Sequence, residues 1–121
     1  MMDRRRLTRY EVEEYYPVVE RETDRAVGRL ANLSIEGVML ITEEPVKKRT
    51  LLKLTLKLPT PVLGHATVEF DAECRWSRKG RGVDWFESGY RLKNVPIEDQ
   101  TTILCLVMQL LADKTTDQEL A

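Results

Sequence analysis

Four arginines stand within six positions, Arg4, Arg5, Arg6 and Arg9, and Asp3 is the one acid beside them. A guanidinium is a planar fork with five donors and a permanent charge. It grips phosphate oxygens or the Hoogsteen edge of guanine with paired hydrogen bonds, and its flat face stacks on a purine. Arg5 and Arg9 are four apart, with Leu7 and Tyr10 as apolar anchors. Two such forks on one short segment could clamp an anion from one side; the plain alternative is a solvated basic leader. The second candidate is Asn32-Leu33-Ser34-Ile35-Glu36-Gly37. Two apart on a strand end, Asn32 and Ser34 point the same way and offer a carboxamide and a hydroxyl to a base or phosphate. Gly37 would let the backbone approach closely. The plain alternative here is a turn, in which Asn and Ser bond their own backbone and Gly supplies a positive φ. Asn-Leu-Ser is also a nominal glycosylation acceptor, which has no meaning in a cytosolic chain. Together the two motifs suggest a pocket for an anionic ligand.

Other chemistries lack their residues. His65 is the only histidine, and Cys74 and Cys105 are widely separated. No metal-type spacing, His-based triad, nucleophile–base pair or phosphate-binding glycine loop is present, so neither an enzyme nor a metal site nor a cofactor is expected. Two reduced, buried thiols are expected of a cytosolic protein, with a Cys74–Cys105 disulfide as the alternative. The formal net charge is −1, so no global field draws the chain to a nucleic-acid polymer or an anionic membrane, and any basic site must be local. The N-terminus has arginines but no apolar h-region. The longest strongly apolar run, Ile103–Met108, is far short of a membrane span. A cytoplasmic location is the expectation.

The elements that must position these motifs read mostly as strands. At 121 residues the chain fits one domain with a core large enough to fold without staples. Tyr15–Glu22 reads as an edge or irregular strand around Pro17. Ala26–Leu33 alternates loosely, and Gly37–Thr42 is a short apolar run of the buried-strand kind. In Thr50–Leu58, Leu52, Leu54, Leu56 and Leu58 alternate with Lys53, Thr55 and Lys57. Pro59, Pro61 and Gly64 predict a loop over 59–65. Ala66–Trp76 puts Val68, Phe70, Ala72, Cys74 and Trp76 on one face, and Glu69, Asp71, Glu73 and Arg75 on the other. Ser77–Gly82 reads as a turn, and Val83–Val95 as extended chain with a bulge at Gly89. Pro96, with Glu98 and Asp99 after it, opens a helix, whose Ile103, Leu104, Val107, Leu110 and Leu111 recur at helical spacing. Leu106 and Met108 widen that surface. The polar end, 113–121, is expected to fray. About six strands and one C-terminal helix, without helices between the strands, favour an antiparallel barrel or sandwich.

The two motifs, in this order and about two dozen residues apart, resemble the PilZ domain, a bacterial receptor for cyclic di-GMP. Its signatures are R-x-x-x-R on an N-terminal segment, here Arg5-Arg6-Leu7-Thr8-Arg9, and [D/N]-x-S-x-x-G, here Asn32 to Gly37. Gly89-Tyr90-Arg91-Leu92 resembles the family's last strand. The resemblance spans roughly residues 3–112. It implies an all-β fold, a six-stranded antiparallel β-barrel with a C-terminal helix, divided as a flexible leader over 1–14, the barrel and helix over 15–112, and the polar tail. It implies that Arg5 and Arg9 bind guanine edges and phosphates of cyclic di-GMP, that Asn32 and Ser34 contact a guanine and a nearby phosphate, and that Gly37 keeps the turn tight. The leader would order over the barrel on binding, a disorder-to-order switch. Arg4, just before the motif, implies a stacked pair of ligand molecules.

A receptor of this kind passes its signal to a protein effector. Ile103–Leu111 is the candidate surface for that effector or for a homodimer, the alternative being that the helix simply packs across the barrel. Trp76 and Trp85 are expected to be packing residues. A PilZ-fold scaffold that binds no nucleotide is the rival within the fold. A small barrel that binds single-stranded nucleic acid would want aromatic platforms between basic strands, where this chain carries Glu69, Asp71 and Glu73.

Overall fold

Period-two alternation builds the sheet. The computed structural model describes residues 10–11, 15–80 and 84–120, with only the backbone path given for Tyr10, Glu11 and residues 111–120. Among them run seven strands and a helix: β1 (Tyr10–Glu11), β2 (Pro17–Glu20), β3 (Ala26–Leu33), β4 (Gly37–Thr42), β5 (Leu51–Val62), β6 (His65–Lys79), β7 (Phe86–Lys93) and α1 (Ile97–Leu120). All neighbouring pairs are antiparallel. The order β3-β2-β5-β6-β7-β4 closes through a β3–β4 pairing into a six-stranded barrel, as expected. β1 is an addition to it. Tyr10 pairs with Leu33 and Glu11 with Asn32, while β2 takes the other end of β3, from Ala26 to Arg29.

Inward residues of every barrel strand meet in one core. Val18, Leu30, Leu40, Leu54, Leu56, Val68 and Phe70 are almost completely buried, and α1 adds Ile103, Leu106 and Val107. Helix packing thus accounts for one face of the 103–111 segment. Leu104 and Met108 stay 47% and 58% exposed on another. Both cysteines are free, Cys74 buried and Cys105 partly so.

Several boundaries differ from expectation. β5 continues through Pro59 and Pro61 to Val62, because its pairing to β6 is interrupted between Lys57 and Val62. The prolines sit where no ladder N–H is needed, and Leu58 and Val62 beside them remain buried. The turn is reduced to Leu63–Gly64, both at positive φ (52° and 79°), the backbone of a two-residue hairpin. β6 likewise runs on through Ser77 to Lys79, since its charged end is occupied across the ladder. Ser77 Oγ lies 2.9 Å from Ser88 Oγ, Arg78 pairs with Glu87 at 3.1 Å, and the Arg78 guanidinium sits 4.9 Å from the centre of the Trp76 ring. The chain reverses only after Gly80, whose N–H donates to the Trp85 carbonyl. α1 runs through the polar end to Leu120.

The bulge also falls elsewhere. Cys74 pairs with Tyr90 and Trp76 with Gly89, so the extra residue is Arg75 on β6, not a residue of β7. An inserted residue inverts the alternation beyond it. Trp76, grouped by simple parity with the core residues, is therefore turned to the outer face.

One core group has a measurable signature. Among the described residues, the buried Tyr90 hydroxyl has no hydrogen-bond partner, its neighbour Ser88 being engaged with Ser77. Burial pushes the phenol up to about 12, with Ser88 opposing. A raised folded-state pKa favours the protonated form, so its contribution is complete below the unfolded value near 10 and is lost between pH 10 and about 12. Two units correspond to about 3 kcal/mol at the upper end of that window. Tyr90→Phe should be neutral or slightly stabilising at pH 7, because an orphaned hydroxyl is removed. It should also flatten the alkaline limb of a denaturant-measured stability curve; an unchanged limb would assign the loss to other groups.

Candidate functional site

The Asn32–Gly37 segment is the end of β3, a turn and the start of β4. Ala31 is the extra residue of a bulge, since Leu30 pairs with Leu40 and Asn32 with Met39. Parity resumes with Leu33 in the core, which leaves Asn32 and Ser34 together on the opposite side, as their spacing predicts. Both are nevertheless buried, 4% and 5% exposed.

Ser34 carries out the turn function. Its N–H donates to the Gly37 carbonyl at 2.9 Å, and its hydroxyl accepts from the Gly37 and Glu36 N–H groups at 3.2 and 3.4 Å. The hydroxyl can donate to the Gly37 carbonyl at 3.3 Å. Asn32 is different. Its Nδ2 reaches only the Met39 thioether, at 3.7 Å, and no described donor reaches its buried Oδ1. Gly37 is required for space, not for a positive φ: a Cβ there would lie 2.5 Å from the Tyr90 carbonyl oxygen of the paired strand.

The bulge on β6 completes the setting. The Trp76 indole lies directly over Gly89, where a Cβ would meet its Nε1 at 2.3 Å. Ser34, Gly37, Arg75, Trp76, Gly89 and Arg91 line an open groove of about 360 Å³. A larger groove, about 670 Å³, lies between the same turn and the helix and shares Glu36 and Arg91 with the first. Ile35, Asn94 and Leu104 also border it.

Arg4, Arg5 and Arg9 lie outside the described residues. The strand that follows them in sequence is described: Tyr10 pairs with Leu33 and Glu11 with Asn32. Among the described residues, no group of His, Cys, Asp or Glu could hold a metal, and no helix is long and apolar enough to cross a membrane.

A model of the PilZ domain matches residues 3–109. The chain belongs to the PilZ domain family. Among solved structures, the PilZ domain of Escherichia coli YcgR with c-di-GMP has a TM-score of 0.66 at 14% identity, covering 97% of this chain and 98% of that one. The K. pneumonia MrkH–c-di-GMP complex has a TM-score of 0.75 at 16% identity, over 96% of this chain and 56% of that one. The Bacillus subtilis inhibitor of motility MotI/DgrA gives 0.72 at 17%, over 93% and 53%. The PilZ chain here thus spans about half the length of MotI/DgrA and MrkH. A search of curated proteins gives no match.

Sequence reasoning missed Arg75, Trp76 and Arg91 as part of this PilZ groove. A tryptophan flanked by arginines in Arg75-Trp76-Ser77-Arg78 is a visible signal, but only the bulge shows that the indole faces outward.

Proposed function

We propose that this PilZ domain is a cyclic di-GMP receptor, with Arg5 and Arg9 binding guanine edges and phosphates from the leader and Asn32 contacting a guanine. The observation that carries this reading is a groove lined by Arg75, Trp76 and Arg91 beside the turn that follows Asn32, whose buried carboxamide oxygen no described donor reaches, on the strand with which Tyr10 pairs. Guanine offers N–H donors that suit such an acceptor, and Trp76 offers a face for stacking. Gly37 and Ser34 hold the turn against β7. Ligand binding orders the leader over the barrel, and Arg4 directs a stacked pair of ligands into the site. The domain acts as a cytoplasmic adaptor without catalysis. It signals to a protein effector through the helix surface around Leu104 and Met108, which adjoins the groove that shares Glu36 and Arg91 with the ligand site.

The test is calorimetric titration of cyclic di-GMP into the protein. A stacked pair gives two ligands per chain, and a single ligand gives one. A titration without heat, together with an unchanged melting temperature, would overturn the receptor reading. It would leave a scaffold that works through protein contacts, for which the exposed Leu104 and Met108 are the places to look.

A further inference from the structure

The β7 ladder fixes where Arg91 points. Ser88 and Tyr90 are buried and Leu92 packs on the core, so Arg91 faces outward, between Gly37 of β4 and Glu73 of β6. On the Gly37 side there is no side chain to meet it, and the space there is the smaller groove. On the other side Glu73 is already engaged. Lys93 Nζ lies 3.0 Å from its carboxylate and Arg75 Nη1 3.7 Å. The hydrogen bond from Lys93 holds the Glu73 carboxyl below its ordinary range, against a smaller opposing effect of burial, so the charge stays on that cluster. Among the described residues, no acid comes within ion-pair distance of Arg91. Glu36 lines the groove without pairing to it.

An exposed guanidinium with no ion-pair partner among the described residues thus stands on the rim of a groove floored by two glycines and an indole. Arg75, exposed on the outer face and 3.7 Å from Glu73, is beside it. Salt bridges elsewhere on the outer face use up the neighbouring cations: Arg78 is held by Glu87 and Arg21 by Asp71. Arg91 is not used in this way. Because the whole chain is slightly negative, attraction for an anion has to come from such local groups.

We propose that Arg91 is a ligand-binding residue of this site, presenting a guanidinium from the barrel wall to a phosphate of the bound nucleotide, with Arg75 as its neighbour in the same field. This rests on the receptor reading above and adds to it a cation presented by the barrel wall. A cyclic dinucleotide carries two phosphates, so it has charges for Arg91 to meet in addition to those taken by other arginines. The fork of Arg91 matches phosphate geometry in a way a lysine does not.

The experiment is titration of cyclic di-GMP into wild type, Arg91→Gln, Arg91→Lys and Arg25→Gln. Loss of a charge-assisted hydrogen-bonding group should weaken binding by about ten- to hundred-fold in Arg91→Gln. Arg91→Lys keeps the charge but not the fork, and should fall between that variant and wild type. Arg25, exposed just before β3 at the end away from Asn32, controls for net charge, and its variant should bind as wild type does. Melting curves report that each variant is folded. Wild-type binding with an Arg91→Gln affinity within about two-fold of it would overturn this inference alone. An equal loss in Arg25→Gln would also overturn it, by reducing the effect to overall charge. Wild-type protein that takes up no cyclic di-GMP would overturn both this inference and the receptor reading.

Discussion

Alanine at both Arg5 and Arg9 should weaken cyclic di-GMP binding by about 3–6 kcal/mol, from two charge-assisted contacts of roughly 1.5–3 kcal/mol each. That is a loss of roughly two to four orders of magnitude in affinity. The effect is large because a guanidinium contributes charge, directional donors and a stacking face at once. Arginine is almost never fully buried in a core, so the melting temperature of the free protein should stay close to that of wild type. The ligand-induced rise in melting temperature should disappear. Lysine at both positions separates charge from geometry: partial binding would show that charge suffices for part of the effect. An alanine double variant that still binds within about ten-fold of wild type would remove the leader from the site and leave Arg91, Trp76 and Asn32 to carry it.

The sequence made the barrel legible because its core obeys simple rules. Leu52 to Leu58 and Val68 to Cys74 alternate without interruption, and the observed core repeats that pattern. The helix start was legible from Pro96, Glu98 and Asp99, the two acids standing in its first turn. Less legible were features in which tertiary contacts change the meaning of a residue. Pro59 and Pro61 read as a break, yet an unpaired stretch of ladder accommodates them within β5. Ser77, Arg78 and Lys79 read as a polar turn, yet two of them have cross-strand partners that keep the chain extended.

The site shows the same division. Asn32, Ser34 and Gly37 were legible as a unit, and each has a definite place in the turn. Their burial was not, nor was the engagement of the Ser34 hydroxyl by the turn itself. Two single-residue bulges matter most. Ala31 and Arg75 each invert the alternation of a strand, and no local preference in the sequence marks either one. Extending the Val68–Cys74 alternation through the second bulge assigns Trp76 to the core, although it stands on the outer face over Gly89. Bulges are a recurrent means of re-aiming a side chain next to a site, and here both border the same turn and groove.

Core and site are separable in this arrangement, and Phe70→Ala tests that. Phe70 is 1% exposed, pairs with Leu54 across β5 and β6, and lies in the core cluster. Its truncation should cost about 3–5 kcal/mol, through lost transfer energy and the cavity left behind. For a domain of this size the melting temperature should fall on the order of 10–20 °C. The groove lies on the outer face, built from β4, the bulged end of β6 and β7, and Phe70 is not part of its wall. The affinity of the folded fraction for cyclic di-GMP should therefore match that of wild type. A ligand that binds only the folded state stabilises by mass action, about 2.7 kcal/mol at a free concentration near 100 times Kd. On the receptor reading, saturating ligand should recover at least half of the stability lost in Phe70→Ala. The Arg5→Ala/Arg9→Ala protein should gain almost none under the same conditions. A Phe70→Ala protein that is folded at low temperature but binds ligand weakly would show instead that packing inside the barrel sets the geometry of the turn, through β3 and β4, and that the two cannot be varied independently.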